Sequence, residues 1–266
     1  SIVKWQKASD AAFTSPTDIA ITSSTLTPSN VGTLSTTTYF RTVVQNGVCA
    51  SDYSTNYVTV TVNQTPTATV TGTSTICIGS SATINVALTG TAPYSFIYTK
   101  NGSNPVTVSN ILTNSYSFTV SPTVNTTYSI TSVTAAGCTG TGANIIGSAA
   151  ISVTKVTASI SGDKLLCKGG SALLDVVFTG AAPYSFTYND GTSNTTISDI
   201  NTTTYQLEVT PPVSTTYSIV SAQGGSCIAD PSDISGTASV TTRVVTAELS
   251  GSTTICSGSS TVISVA

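Results

Sequence analysis

Histidine and methionine are absent from the 266 residues, tryptophan occurs once, and charged residues make up only 7%. Without histidine there is no imidazole base, no Ser/His or Cys/His nucleophile pair, and none of the commonest metal ligand. A net charge of −3 and a pI near 4.6 provide no cationic field for phosphates, which excludes a nucleic-acid partner. No run approaches the roughly 18 uninterrupted apolar residues of a bilayer span, so no membrane insertion is expected. Ser1 to Asp10 lack the apolar core and cleavage site of a signal peptide, and any export address is expected outside this stretch. What is abundant is Thr, Ser, Gly, Ala and Val. The mean hydropathy of +0.26 arises from Val, Ile and Ala alternating with Thr and Ser, a pattern of strands.

The sequence repeats. TATVTGTSTICIGSSATINVALTGTAPYSF from Thr67 recurs as TASISGDKLLCKGGSALLDVVFTGAAPYSF from Thr157 and begins again as TAELSGSTTICSGSSTVISVA from Thr246. The period is thus 90 and then 89 residues. SPTVNTTYSI from Ser121 likewise matches TPPVSTTYSI from Thr210, and Tyr39, Tyr128 and Tyr217 each precede a Cys by ten positions. The chain therefore divides into the later part of one repeat (1–66), two whole repeats (67–156 and 157–245) and the head of a further one (246–266). A stretch of a longer tandem array explains this division. The alternative is a polymer in which the last 21 residues of one chain complete the first domain of the next.

Within 67–156, seven runs read as short strands: 68–71, 82–88, 94–99, 106–109, 116–120, 128–133 and 149–153. No helical period is found. Seven antiparallel strands in about 90 residues point to an all-β fold of tandem immunoglobulin-like β-sandwich domains, with linkers short enough to form an elongated rod. Tyr128, Tyr217 and Tyr39 fall where a tyrosine corner would bond its hydroxyl to nearby backbone. Trp5, aligned with Tyr98, reads as an inward strand residue, with a sugar-stacking contact as the alternative. The turn Asn189-Asp190-Gly191 reads as a hairpin turn rather than a calcium loop, since Lys100-Asn101-Gly102 occupies the equivalent place. No paired-carboxylate or metal constellation emerges; no enzyme activity and no cofactor are expected.

All six cysteines obey the period: Cys77, Cys167 and Cys256 precede the second strand, and Cys49, Cys138 and Cys227 follow the sixth. That regularity argues for disulfides and hence for a compartment outside the reducing cytosol. Cys77 with Cys138 and Cys167 with Cys227 would be the pairing within each repeat. In an alternating sandwich, however, the second and sixth strands run in one direction, which puts those two sulfurs at opposite ends of the domain. At about 3.3 Å per residue they would stand roughly 20 Å apart, against a disulfide limit near 7 Å. Cys77 with Cys227, between successive repeats, is therefore favoured. Cys49, Cys138, Cys167 and Cys256 would then pair with neighbouring repeats.

The residues TICSGSSTVISV, APYSFTY, TTYSI and the Gly-Cys or Gly-x-Cys turns resemble the Ig-like repeats of giant cell-surface gliding adhesins of Bacteroidota, the SprB-like type. The resemblance covers almost the whole chain and is stronger over 67–266 than over 1–66. It implies an extracellular filament exported by type IX secretion that serves surface adhesion and gliding motility. Its partners would be neighbouring repeats, surface glycans or other filament subunits. The same modules also accompany secreted enzymes, so a spacer or glycan-binding module is the alternative. The resemblance carries no ligand residues.

Overall fold

The computed structural model describes residues 1–249 and 251–264. Its contacts divide the chain into two compact units. The first comprises Ser1–Ser74, Ser81–Val120 and Asn125–Ile151; the second comprises Thr75–Ser80, Ser121–Val124 and the chain from Ser152 onward.

In the first unit, one layer of a sandwich is a four-stranded sheet ordered Ser115–Val120, Ala82–Thr89, Thr67–Thr71, Ile145–Ile146. The strand Ala82–Thr89 shows why it forms: Ala82, Ile84, Val86 and Leu88 are buried while the residues between them are exposed. This period of two lets one face meet a core and the other meet water. The facing sheet carries Ser103–Ile111, Tyr94–Lys100, Thr126–Ala135 and Ala149–Thr154 in that order. Its inward residues include Phe96, Tyr128, Ile130 and Val133. A bulge between Ile130 and Ser132 explains why the inward spacing there is three rather than two.

Residues 1–60 of the same unit form five strands, all in a single sheet: Thr17–Ile19, Ile2–Ala8, Thr38–Val44 and Asp52–Tyr53 in order, with Val58–Val60 also on Thr38–Val44. The expectation of no helix is corrected by one turn, Pro28–Val31. Thr27 caps it in a reciprocal box with Asn30, and Pro28 supplies a φ suited to the first helical position.

The second unit contains the same sandwich. One sheet is Thr204–Val209, Ala172–Thr179, Thr157–Ser161 and Ile234–Ser235; the other is Lys164–Cys167, Thr237–Arg243, Thr215–Gly224, Tyr184–Asn189 and Asn194–Ile200. Leu174, Val176, Phe178 and Phe186 lie at the centre of its core. These are tandem immunoglobulin-like β-sandwiches, with one departure from the expected all-antiparallel pairing. Short strands pair parallel to long ones: Ile145–Ile146 with Thr67–Thr71, Ile234–Ser235 with Thr157–Ser161, and Lys164–Cys167 with Thr237–Arg243. Gly147 ends one of them at φ 77°, and a Cβ there would meet the Val70 carbonyl oxygen at 2.6 Å. Gly236 repeats the arrangement at φ 81° against Ile160.

On the outward faces of the sandwiches, hydroxyl pairs join neighbouring strands. Thr67 meets Thr89 at 2.7 Å, its period mate Thr157 meets Thr179 at 2.8 Å, and Thr187 meets Thr196 at 2.8 Å.

Candidate functional site

Cys77 and Cys227 are joined by a disulfide with their Cα atoms 5.4 Å apart. Cys77 ends the strand Ser74–Cys77, and Cys227 opens the short arm Cys227–Ile228 that folds back on Thr215–Gly224. By sequence period Cys77 belongs to one copy of the repeat and Cys227 to the next. The bridge lies within the second compact unit, to which Thr75–Ser80 belongs. Beside it the Ile78 amide donates to the Thr154 carbonyl at 2.9 Å.

An open hollow next to the bridge is lined by Ile78, Gly79, Lys155, Asp230 and Asp233 among others. Lys155 pairs with Asp233 at 2.7 Å. The Asp230 carboxylate caps a short 3-10 turn, accepting from the Ser232 amide at 2.9 Å and hydroxyl at 2.6 Å. Those Ser232 bonds pull its pKa down. These contacts of Lys155, Asp233, Asp230 and Ser232 fasten neighbouring segments of the chain.

Cys49, Cys138, Cys167 and Cys256 carry free thiols. Cys138 is half-buried with its Sγ 3.6 Å from the Asn63 carbonyl oxygen, where the 1–60 sheet continues into the following sandwich; the other three are exposed. Among the described residues no group of three His, Cys, Asp or Glu side chains could hold a metal.

The Trp5 ring is half-buried and pairs across strands with Thr42 and Ile19, on the face that also carries Lys7 and Phe40. Its indole N–H donates to the Ser23 carbonyl at 3.0 Å, and Lys7 Nζ donates to the Val31 carbonyl at 3.3 Å. The stretch 23–31 therefore lies over that face. The opposite face holds a polar and aromatic cluster that sequence reasoning missed. The Arg41 guanidinium lies 3.7 Å from the Tyr53 ring centroid and 4.2 Å from that of Phe13. Its Nε donates to Gln6 Oε1 at 2.9 Å, and Gln6 Nε2 donates to Asp18 Oδ1 at 2.8 Å. Lys4 completes the chain with a 2.5 Å contact to Asp18, whose pKa these donors lower, Lys4 most of all. In the sequence Lys4, Gln6, Asp18 and Arg41 are too far apart to announce these partners.

The tyrosine corner is also corrected. The hydroxyls bonded to nearby backbone are those of Tyr94, to Gly90 O at 2.8 Å, and Tyr184, to Gly180 O at 2.9 Å. Tyr128 and Tyr217 instead pack in ring clusters with Tyr98 and Tyr188, and burial raises both of their pKa values. Tyr39 stacks edge-on with Tyr57. At Asn189-Asp190-Gly191, Asp190 Oδ1 accepts from the Ser193 amide at 2.7 Å and the Thr192 amide at 2.9 Å, an Asx turn that holds its carboxyl far below the usual range.

A family model described as a domain of unknown function (DUF8696) matches residues 1–64. No curated protein matches the chain in sequence. Among solved structures, a fragment of titin with three Ig domains in a Glu-to-Ala variant aligns over 79% of this chain and 74% of its own, at 9% identity and a TM-score of 0.46. A 1.5-MDa bacterial ice-binding adhesin, studied for its retention at the host cell surface, aligns over 91% and 86% at 12% identity and a TM-score of 0.40.

Proposed function

We propose that the chain is a structural segment of a long extracellular cell-surface adhesin filament, serving surface adhesion and gliding. The observation that carries this reading is the Cys77–Cys227 bridge between residues of successive repeat copies. A bond placed there fastens one copy of the repeat to the next and resists tension along the chain, and it persists only outside the reducing cytosol. The near-exact period of 90 and 89 residues lets length grow by repetition without new design. Surface glycans and other filament subunits are the partners this role calls for. The test is a gene from which whole periods are deleted in frame, together with antibody labelling of intact cells. Surface label and cell spreading that fall with repeat number support the role. Label confined to soluble secreted protein, with spreading unchanged, refutes it and favours a spacer beside a secreted enzyme.

A further inference from the structure

A hollow of about 390 Å³ in the second sandwich is walled by Tyr188, Asp190, Glu208, Pro211, Pro212 and Tyr217 among others. All of its walls come from residues 188–217, the interior of one repeat. Its size falls within the roughly 300–1,000 Å³ of small-ligand sites. Tyr217 is only 5% exposed, yet its hydroxyl has no hydrogen-bond partner among the described residues. Buried hydroxyls are ordinarily paired, so this one is free for whatever enters the hollow. The Tyr188 ring stands beside it, with centroids 6.1 Å apart and planes inclined at 51°. Asp190 Oδ1 is taken up by its Asx turn, but Oδ2 accepts only from the Ser193 hydroxyl, at 3.1 Å. The Glu208 carboxylate is exposed and has no partner among the described residues. Burial first, and then the charge of Asp190, raise the pKa of the Tyr217 hydroxyl, so the negative field reaches that oxygen.

The matching place in the first copy of the repeat has different chemistry. Lys100 follows Tyr98 by two residues as Asp190 follows Tyr188, and Thr119 holds the strand position of Glu208. Phe118, whose ring stacks on Tyr98 with centroids 4.8 Å apart, is replaced by Leu207, so Tyr188 lacks that covering ring. The second copy thus exchanges a cation for two carboxylates and a large side chain for a smaller one.

We propose that this hollow binds a lysine-type alkylammonium group, its N–H donors on Glu208, Asp190 Oδ2 and the Tyr217 oxygen and its methylene stem along Tyr188, Pro211 and Pro212. An ammonium carries three donors and no acceptor, which matches a lining of two carboxylates and a hydroxyl oxygen. The tyrosine rings add the attraction of an aromatic face for a cation. Among the described residues no Lys or Arg lines the hollow to compete with it. A neutral saccharide could touch the same rings but would gain nothing from the two negative charges. The site goes beyond the adhesin role and stands without it.

The experiment uses the full chain with carbon-13-labelled tyrosine rings, titrated with Nα-acetyl-lysine methylamide, whose only charge is the side-chain ammonium. The Tyr188 and Tyr217 resonances should shift saturably while those of Tyr98 and Tyr128 stay in place. Added salt should weaken the response. The norleucine counterpart, with the same backbone and no ammonium, should move neither pair. Glu208→Thr, which installs the first copy's residue at an exposed position, should weaken binding by about two- to fivefold. Leu207→Phe, again the first copy's residue, should abolish the response. Equal shifts with the norleucine derivative, equal shifts at Tyr98 and Tyr128, a response to methyl glucoside in place of the lysine derivative, or no shift at any ring overturns the inference.

Discussion

Replacing both Cys77 and Cys227 with Ser removes the bridge without leaving an unpaired thiol. The cross-link spans a sequence separation of 150 residues. In the loop-entropy description, closing a loop of that size costs the unfolded chain about 17 cal/mol/K, or about 5 kcal/mol at 25 °C, and this is the upper bound on what the bridge contributes. At roughly 3 to 5 °C per kcal/mol for a unit of this size, the double variant should melt up to about 15 to 25 °C lower by scanning calorimetry. The loss should also be local. The Ile78 amide, held by the Thr154 carbonyl at 2.9 Å, should exchange its hydrogen faster, because Thr75–Ser80 is no longer tied to the second unit through Cys227. A Cys138→Ser/Cys167→Ser control, which removes only free thiols, should melt like the parent. A double variant within about 2 °C of the parent, with Ile78 protection unchanged, would show that the bridge ornaments a fold already closed by other contacts.

Leu174→Ala empties a fully buried position and should cost about 2 to 5 kcal/mol, read as a lower urea midpoint with an unchanged slope. Gly236→Ala forces a Cβ onto the Ile160 carbonyl at positive φ and should cost more than about 1 kcal/mol; an unchanged midpoint would contradict the close approach. Asp190 should stay ionised at pH 3, where an unperturbed aspartate, with pKa about 3.9, is mostly protonated; its carboxyl carbon shift by NMR reports this. Because the folded-state pKa is depressed, its contribution is present above the unfolded value and fades as pH falls toward the folded one, so Asp190→Asn should flatten the acid limb of stability. Arg41→Ala should cost about 1 to 2 kcal/mol through loss of both ring contacts and move the Tyr53 ring resonances; unchanged Tyr53 signals would refute the stacking.

The strands that were readable in sequence are those whose partners impose alternation, such as Ala82–Thr89, where every second residue enters the core. Ser74–Cys77, Ile145–Ile146 and Cys138–Gly140 were not readable, because two to four residues carry too little period to register. Lys164–Cys167 is held by a parallel partner more than seventy residues away, and nothing local announces it. The cysteine positions were legible because the period repeats them. The Arg41 cluster was not, since it depends on the cross-strand pairing that sets Arg41 beside Gln6 and on a loop that brings Phe13 to the same place. The tyrosine reading failed for a related reason. A hydroxyl that bonds backbone four residues earlier, as in Tyr94 and Tyr184, needs a turn geometry that spacing from a cysteine does not reveal.

The outward hydroxyl pairs have an environmental consequence. Thr67 with Thr89 and Thr157 with Thr179 hold their strands through short-range dipoles, which dissolved ions barely weaken, whereas a surface built on lysine and glutamate would loosen as the Debye length shrinks. Strands joined in this way should keep the same grip in fresh water and in brine.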